Sequence, residues 1–420
     1  MTEPSEKCVS RASIAIAAFS TIVEWYDFTL YLYFSTVLSR VFFGGGQTGL
    51  LATLAGFAIA YFLRPLGAIV FGHIGDRLGR RRTLLLSVAV MTLAMLGTAL
   101  LPTHAQAGAI AGWLLFILRC VMGFSVGGEY NVVVAYLLEG APQNRRGLIA
   151  SCAAAASEIG GLLAVGISAL TVNGLDPASL DSWGWRIPFL FGAGLAAIVW
   201  IARSTMEESP DFLRQQMDGT VPQSPLRFVL AGHRSGIARA FAISALGSIT
   251  YYVGITYVPV FLTSAGGFSE GEALYLSTLA AIAVILITPI TGDLSDRLGR
   301  KPVLIVLGAC SVLLPLLLFH LMAGGIRFHA LLGAVLLACL AGAISAVGAI
   351  ATAEQFPGEG RISGLALGAT SATAIFGGLT PYIAQIATAQ TGMATIPGVM
   401  IALVALCVLP VLVKLPVASR

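Results

Sequence analysis

The feature that most constrains this chain is a succession of apolar runs, each long enough to cross a bilayer. A spanning helix needs about 20 mainly apolar residues. Such runs fall near 13–42, 49–72, 83–101, 109–138, 147–171 and 185–204, and again near 238–263, 273–291, 302–323, 329–353, 362–388 and 394–413. The chain is 57% hydrophobic and 10% charged, with a mean hydropathy of +0.88. Soluble domains carry about 25% charged residues, so most of this surface must face lipid. The expected fold is an all-α membrane protein of twelve transmembrane helices. The apolar run behind Lys7 and Arg11 resembles a signal peptide, but Glu24 and Asp27 interrupt it and further spans follow, so it reads as a retained first span.

The basic residues orient the spans. With the N-terminus placed inside, every Lys and Arg falls on the inner side except Arg40, Arg186 and Arg327 outside and Arg64 and Arg119 within spans. This asymmetry puts both termini in the cytoplasm and the protein in the cell inner membrane. Their dispersal along inner loops also removes any clustered basic face for nucleic acid. The six cysteines have no metal-ligand spacing, so neither a metal nor another cofactor is expected.

The single long polar stretch, 205–236, contains Glu207, Glu208, Asp211, Pro210, Pro222 and Pro225. It reads as a cytoplasmic linker between an N-terminal six-helix bundle (1–204) and a C-terminal one (237–420). An internal repeat supports the division. Gly72-His-Ile-Gly-Asp-Arg-Leu-Gly-Arg-Arg81 recurs as Gly292-Asp-Leu-Ser-Asp-Arg-Leu-Gly-Arg-Lys301, and Glu139, Pro142 and Arg146 recur as Glu354, Pro357 and Arg361. Both copies fall on inner connections, so the halves are parallel-related repeats.

Ionisable side chains inside the spans point to function, because each costs at least about 2.5–3.5 kcal/mol in the bilayer core. At ~1.5 Å per residue, Glu24, Asp27, Arg64, Glu129 and Glu158 fall near one depth, around the midplane. Arg119 falls towards the outer side. Glu24, Asp27 and Tyr31 are spaced to share one helix face, which is expected to line a cavity. Four carboxylates beside one arginine cannot all stay ionised in a poorly polarisable layer, so a proton-coupling role is expected for them. Glu158 reads equally as a substrate-specific group or a second proton site. Arg64 stays charged and can fork onto a substrate carboxylate. The alternative for Arg64 is a structural ion pair with Asp27 or Glu129. The later spans carry no charged side chain until Glu354, so Thr250, Tyr251, Tyr252 and Tyr257 are the expected lining there, with Tyr251 and Tyr252 as candidate substrate ligands.

The repeated loops resemble the G-x-x-x-D-R-x-G-R-[RK] signature of the major facilitator superfamily, and Arg119-x-x-x-Gly123-x-x-x-Gly127 resembles its fourth-helix motif. The chain is also similar to the metabolite:proton symporter family of citrate, dicarboxylate, shikimate and betaine carriers. That likeness rests on Glu24-Trp-Tyr-Asp-Phe28, Phe62-Leu-Arg-Pro-Leu-Gly67, Gly123-Phe-Ser-Val-Gly-Gly-Glu129, Trp183-Gly-Trp-Arg-Ile-Pro-Phe189 and Ala374-Ile-Phe-Gly-Gly-Leu-Thr-Pro381. The resemblance implies a monomeric, proton-coupled symporter importing a small carboxylated metabolite, such as a di- or tricarboxylate, by alternating access. It also ties Arg119 to proton coupling. Asp76, Arg80, Glu139 and Arg146, with Asp296, Arg300, Glu354 and Arg361, would then form a cytoplasmic latch. A zwitterion symporter remains the first alternative. A proton-antiport exporter is the second, although Ser157-Glu-Ile-Gly-Gly161 lacks the Gly-Pro of drug antiporters. No HExxH is present, and the G-x-S-x-G of Gly123-Phe-Ser-Val-Gly127 falls inside an apolar span rather than at a strand-to-helix turn, so an enzyme is not expected.

Overall fold

A computed structural model describes residues 11–78, 80–127, 146–205, 217, 225–356 and 361–416. Among the described residues, twelve main helical rods follow one another: α1 (Arg11–Tyr33), α2 (Gly46–Leu78), α3 (Arg80–Ala99), α4 (Ala109–Val126), α5 (Arg146–Gly174), α6 (Arg186–Ser204), α7 (Arg234–Tyr251), α8 (Glu270–Leu298), α9 (Arg300–Ala323), α10 (Arg327–Ala353), α11 (Thr380–Thr391) and α12 (Ile396–Val413). Among the described residues, eight helices are long and apolar enough to cross a membrane. A ninth is α7 with its continuation Val258–Ser264, bent by 47°. The remaining rods depart from that simple form. The apolar part of α3 is short. α1 continues past a kink at Phe34 as Ser35–Phe43. α11 is preceded by Arg361–Leu365 and two π-helical segments, Ala366–Thr370 and Ala374–Gly378.

The rods pass up and down, so the start of α1 shares a face with the starts of α3, α5, α7 and α9. That side is termed the N-terminal face. At the other side the turn after Ser35–Phe43 needs three consecutive glycines. Gly44, Gly45 and Gly46 have φ of 77°, 76° and 67°, a region costly to residues with a Cβ.

Packing relies on small residues, as expected where lipid offers no hydrophobic drive between helices. A Cβ at Gly160 of α5 would run into the Ile22 carbonyl and Tyr26 amide of α1. One at Gly123 of α4, or at Gly127 just after it, would strike the Ala60 or Arg64 carbonyl of α2. These approaches bring α1, α2, α4 and α5 backbone to backbone, and so fix where their midplane charges meet. Outward, Leu93, Trp113, Leu170, Leu313 and Phe328 are exposed, as a lipid-facing belt requires.

The side opposite the N-terminal face carries a lock. Arg40, beyond the kink of α1, pairs with Asp181 (Nε to Oδ2, 3.2 Å), between α5 and α6, and with Glu270 in the first turn of α8. The guanidinium thus ties the first six rods to the last six.

Gly160→Val should lower the stability of the purified protein by about 1–3 kcal/mol, the usual range for overpacking. Gly166→Ala, with nothing within 4 Å of its Cβ, should leave it unchanged or slightly raised. Thermal unfolding in detergent checks both.

Candidate functional site

The midplane chemistry is built on α1. At Glu24 the carboxylate Oε1 accepts from Arg64 Nη2 over 2.8 Å. Arg64 also donates from Nη1 to the Tyr61 hydroxyl at 2.8 Å, and its guanidinium lies 3.9 Å from the Phe28 ring centroid. Pro65 follows Arg64 inside α2. One turn further along α1, Asp27 meets Arg119 of α4 in a two-pronged contact, Nη1 to Oδ2 and Nη2 to Oδ1, both 2.9 Å. Asp27 is fully buried and Arg119 3% exposed. The Tyr31 ring lies 5.0 Å below the Arg119 guanidinium carbon, and its hydroxyl donates to the Thr53 carbonyl at 3.1 Å.

Pairing differs from the sequence expectation in two ways. Among the described residues Arg64 takes Glu24 rather than Asp27, and Arg119 comes to the same layer as the acids instead of lying apart from them. Helix rise gives depth along one rod, but not how far neighbouring rods slide or tilt. The midplane therefore holds two cations for Glu24 and Asp27. Of the described midplane acids, Glu158 of α5 is the one with no salt bridge; its Oε2 accepts from the Tyr251 hydroxyl of α7 at 3.1 Å. Glu129 and Glu139 lie outside the described residues, and so do the side chains of Asp76, Arg80 and Arg361.

A cavity of about 160 Å³ opens beside Arg64. The first six rods contribute Glu24, Trp25, Arg64, Val126 and Gly127. The last six contribute hydroxyls and rings, among them Ser244, Ser248, Tyr251 and Tyr252 from α7 and its continuation, and Thr352 from α10. Lining residues run from this midplane layer towards the N-terminal face, where Ile243, Thr352 and Leu365 stand.

The expected face of α1 divides. Glu24 lines the cavity, whereas Asp27, turned about 60° from it on a helix of 3.6 residues per turn, packs against α4. Tyr31 is about 10 Å beyond Glu24 and does not reach the cavity, because a layer of rings ends it first. Tyr61 and Tyr252 touch through their hydroxyls, Tyr61 packs on Phe28 and Phe57, and Tyr251 stands edge-on to Trp25 at 5.2 Å. Gly377 and Gly378 make room for this layer, since a Cβ at either would strike Tyr252 or Tyr61. Thr250 hydrogen-bonds its own helix, and Tyr257 donates to Gln385 at 2.7 Å; neither lines the cavity. Tyr61 was not among the expected site residues, although its position three before Arg64 places it on the same helix face.

At the N-terminal face, Asp296 of α8 accepts from the Gly147 and Leu148 amides, both at 2.9 Å. The carboxylate sits on the positive end of α5, where unpaired N–H groups and the helix dipole favour an anion. Asp296 also pairs with Arg300 (2.6 Å), and Arg300 approaches Glu354 (3.6 Å). Among the described residues, then, the partner of Glu354 is Arg300. Arg146 opens the same α5 turn.

An all-helical membrane protein with paired charges around a midplane cavity is a carrier by architecture. The family described as "Sugar (and other) transporter" matches residues 13–221, and "Major Facilitator Superfamily" matches residues 240–420. The chain is 32% identical to the ectoine/proline transporter of Corynebacterium glutamicum, over 93% of this chain and 81% of that protein. It is 30% identical to the citrate-proton symporter of Klebsiella pneumoniae, over 92% and 87%. Its fold is similar to that of the proton:xylose symporter XylE, with a TM-score of 0.77 and 19% identity over 97% and 96% of the two chains. The chain belongs to the major facilitator superfamily and, within it, to the metabolite:proton symporter family. It is a transporter, not an enzyme.

Replacing either Asp27 or Arg119 by Ala should cost about 3–5 kcal/mol, because each change strands a buried charge. The double variant should lose clearly less than the two losses added together. Denaturant unfolding of the four proteins measures this; additive losses would mean the two side chains do not interact.

Proposed function

We propose that this protein is a proton-coupled symporter that imports a small carboxylated metabolite across the cell inner membrane by alternating access. In this reading two six-helix halves, 1–204 and 237–420, joined by the linker 205–236, rock about the midplane site, and a monomer suffices. Both termini are cytoplasmic, so the N-terminal face is the inner one. The lining of the cavity, running from the midplane to that face, supports an inward-facing arrangement closed on the outer side by the ring layer and by Arg40.

The observation that carries the reading is Arg64 at the head of the cavity, charged and held in place by Glu24, Tyr61 and Phe28. A guanidinium fixed in this way can offer its fork to a carboxylate at little further cost in ordering. Asp27 with Arg119, and Glu129, carry the proton. A proton on Asp27 would release Arg119, and loss of it would restore the pair, so one helix-to-helix tie answers to proton binding. Asp296, Arg300 and Glu354, with Arg146, act as the inner latch, and Asp76, Arg80, Glu139 and Arg361 as its counterpart.

The charge balance favours a substrate with one carboxylate over a di- or tricarboxylate. The lining pairs one cation with one anion, Arg64 with Glu24, so a second substrate carboxylate would meet no second cation among the described lining residues. A zwitterion fits this balance: its carboxylate would face Arg64, and its cationic group would meet Glu24 and the faces of Trp25, Tyr251 and Tyr252, where aromatic quadrupoles attract cations. The similarity to an ectoine/proline transporter agrees with this, and that to a citrate-proton symporter supports proton coupling.

Proteoliposomes given an inward gradient of one pH unit should accumulate L-proline up to roughly tenfold if one proton accompanies each substrate, since a unit is worth about 1.4 kcal/mol. Citrate offered in parallel should accumulate far less. Arg64→Ala should abolish accumulation, and Asp27→Asn should abolish its dependence on the gradient. Uptake of any offered acid that ignores the gradient would remove the coupling; preference for citrate would remove the single-carboxylate reading.

A further inference from the structure

Glu158 is the midplane acid that the arginines leave over. It lies about 18 Å along α5 from Arg146, it is 8% exposed, and no cationic side chain among the described residues is within salt-bridge reach of it. The titratable groups facing it are two phenols. Tyr251, from α7, donates to Oε2; Tyr33, from α1, is near enough to feel its charge. The acids of α1 that pack against α5 are engaged by Arg64 and Arg119. The charged residues of α6, α8 and α10 stand at or near helix ends, remote from this level.

A carboxylate in such surroundings is expensive. One phenol hydrogen bond does not replace the hydration of an anion, and several kcal/mol of desolvation remain unless the group is paired or takes up a proton. Glu158 is also set apart from the substrate. It is not part of the cavity lining; Tyr251 is. The ring of Tyr251 forms the wall, edge-on to Trp25, and its hydroxyl reaches through to the acid behind. The Glu158–Tyr251 bond further joins α5, before the linker, to α7, after it.

We propose that Glu158 is a proton-binding site separate from Asp27, and that Tyr251 links its occupancy to the contact between α5 and α7. The inference rests on the carrier reading above. With the rods together, Glu158 is a neutral acid: the proton is on Oε1, and Oε2 accepts from Tyr251. When α7 draws away from α5 the hydrogen bond breaks and water reaches the carboxyl. The O–H bond then gives its proton to that water, leaving a hydrated carboxylate. Tyr251 is a positioning residue here, since it neither gains nor loses the proton.

Infrared difference spectra of the purified full-length protein, recorded across a pH titration, test this without any substrate. The carbonyl stretch of a protonated acid should be present at neutral pH, vanish in Glu158→Gln and persist in Asp27→Asn. Tyr251→Phe should shift its frequency and move its titration to another pH, which a purely structural tyrosine would not do. Glu158→Asp, a second variant in case Gln impairs folding, should show a displaced acid band. An unchanged band in Glu158→Gln, or a band lost in Asp27→Asn instead, would overturn the proposal. Transport distinguishes the two claims. Gradient-driven uptake with no Glu158 band refutes this site and leaves the carrier reading standing; the band without such uptake supports the site and removes the coupling.

Discussion

Ionised groups in hydrocarbon must find partners, and in this protein that requirement organises the core. Glu24 and Asp27 leave α1 one turn apart and in different directions, the first to Arg64 on α2 and the second to Arg119 on α4. Removing Arg119 would leave Asp27 with neither water nor counter-ion, and removing Arg64 would leave Glu24 without its cation, so the three rods are held in one register. The glycine contacts between α2 and α4 and between α1 and α5 allow this. They bring the backbones close enough for side chains of ordinary length to meet around a single layer.

The two pairs have different surroundings, and the difference bears on what each can do. Arg64 and Glu24 border the cavity, so a ligand can share their charge without breaking the pair. Asp27 and Arg119 are sealed among Tyr31 and the walls of α1, α2 and α4, a setting that suits the proton role proposed for them. Ties at the two faces complete the arrangement. Arg40 draws α1 to α8 at the far side, while Asp296 holds the start of α5 to α8 at the N-terminal face. α8 is common to both ties. A rocking motion that loosened one of these ties could therefore keep the other as its pivot.

Much of this was legible in the sequence. The apolar runs give the rods, and the stranded acids together with Arg64 give the level of the site. What one chain cannot give is the azimuth and slide between rods. Helix rise alone therefore sets Arg119 too far from Asp27, and does not show that Arg64 meets Glu24 rather than Asp27. The same gap explains why Asp27 and Tyr31 were expected on a cavity wall. Periodicity puts them near the face of Glu24, but the ring layer that ends the cavity before Tyr31 is assembled from α1, α2 and the end of α7, with room made by the segment before α11. Gly377 and Gly378 are visible in the sequence as a small pair; that they seat Tyr252 and Tyr61 is not. The tie of Arg40 to Asp181 and Glu270 is not visible in the sequence, since nothing local relates positions so distant along the chain.

The central claim is that Arg64 and Glu24 border a water-filled passage reached from the N-terminal face. The direct measurement is labelling of single cysteines, in a background free of the native ones, by a membrane-impermeant thiol reagent added to oriented vesicles from either side. Ser244→Cys, on the cavity wall, should react quickly from the side of the N-terminus and slowly from the other, and a bound substrate should slow it. Leu313→Cys, on the lipid-facing surface, should react slowly from both. Equal, slow labelling at the two positions would mean that no passage leads to Arg64 from that face.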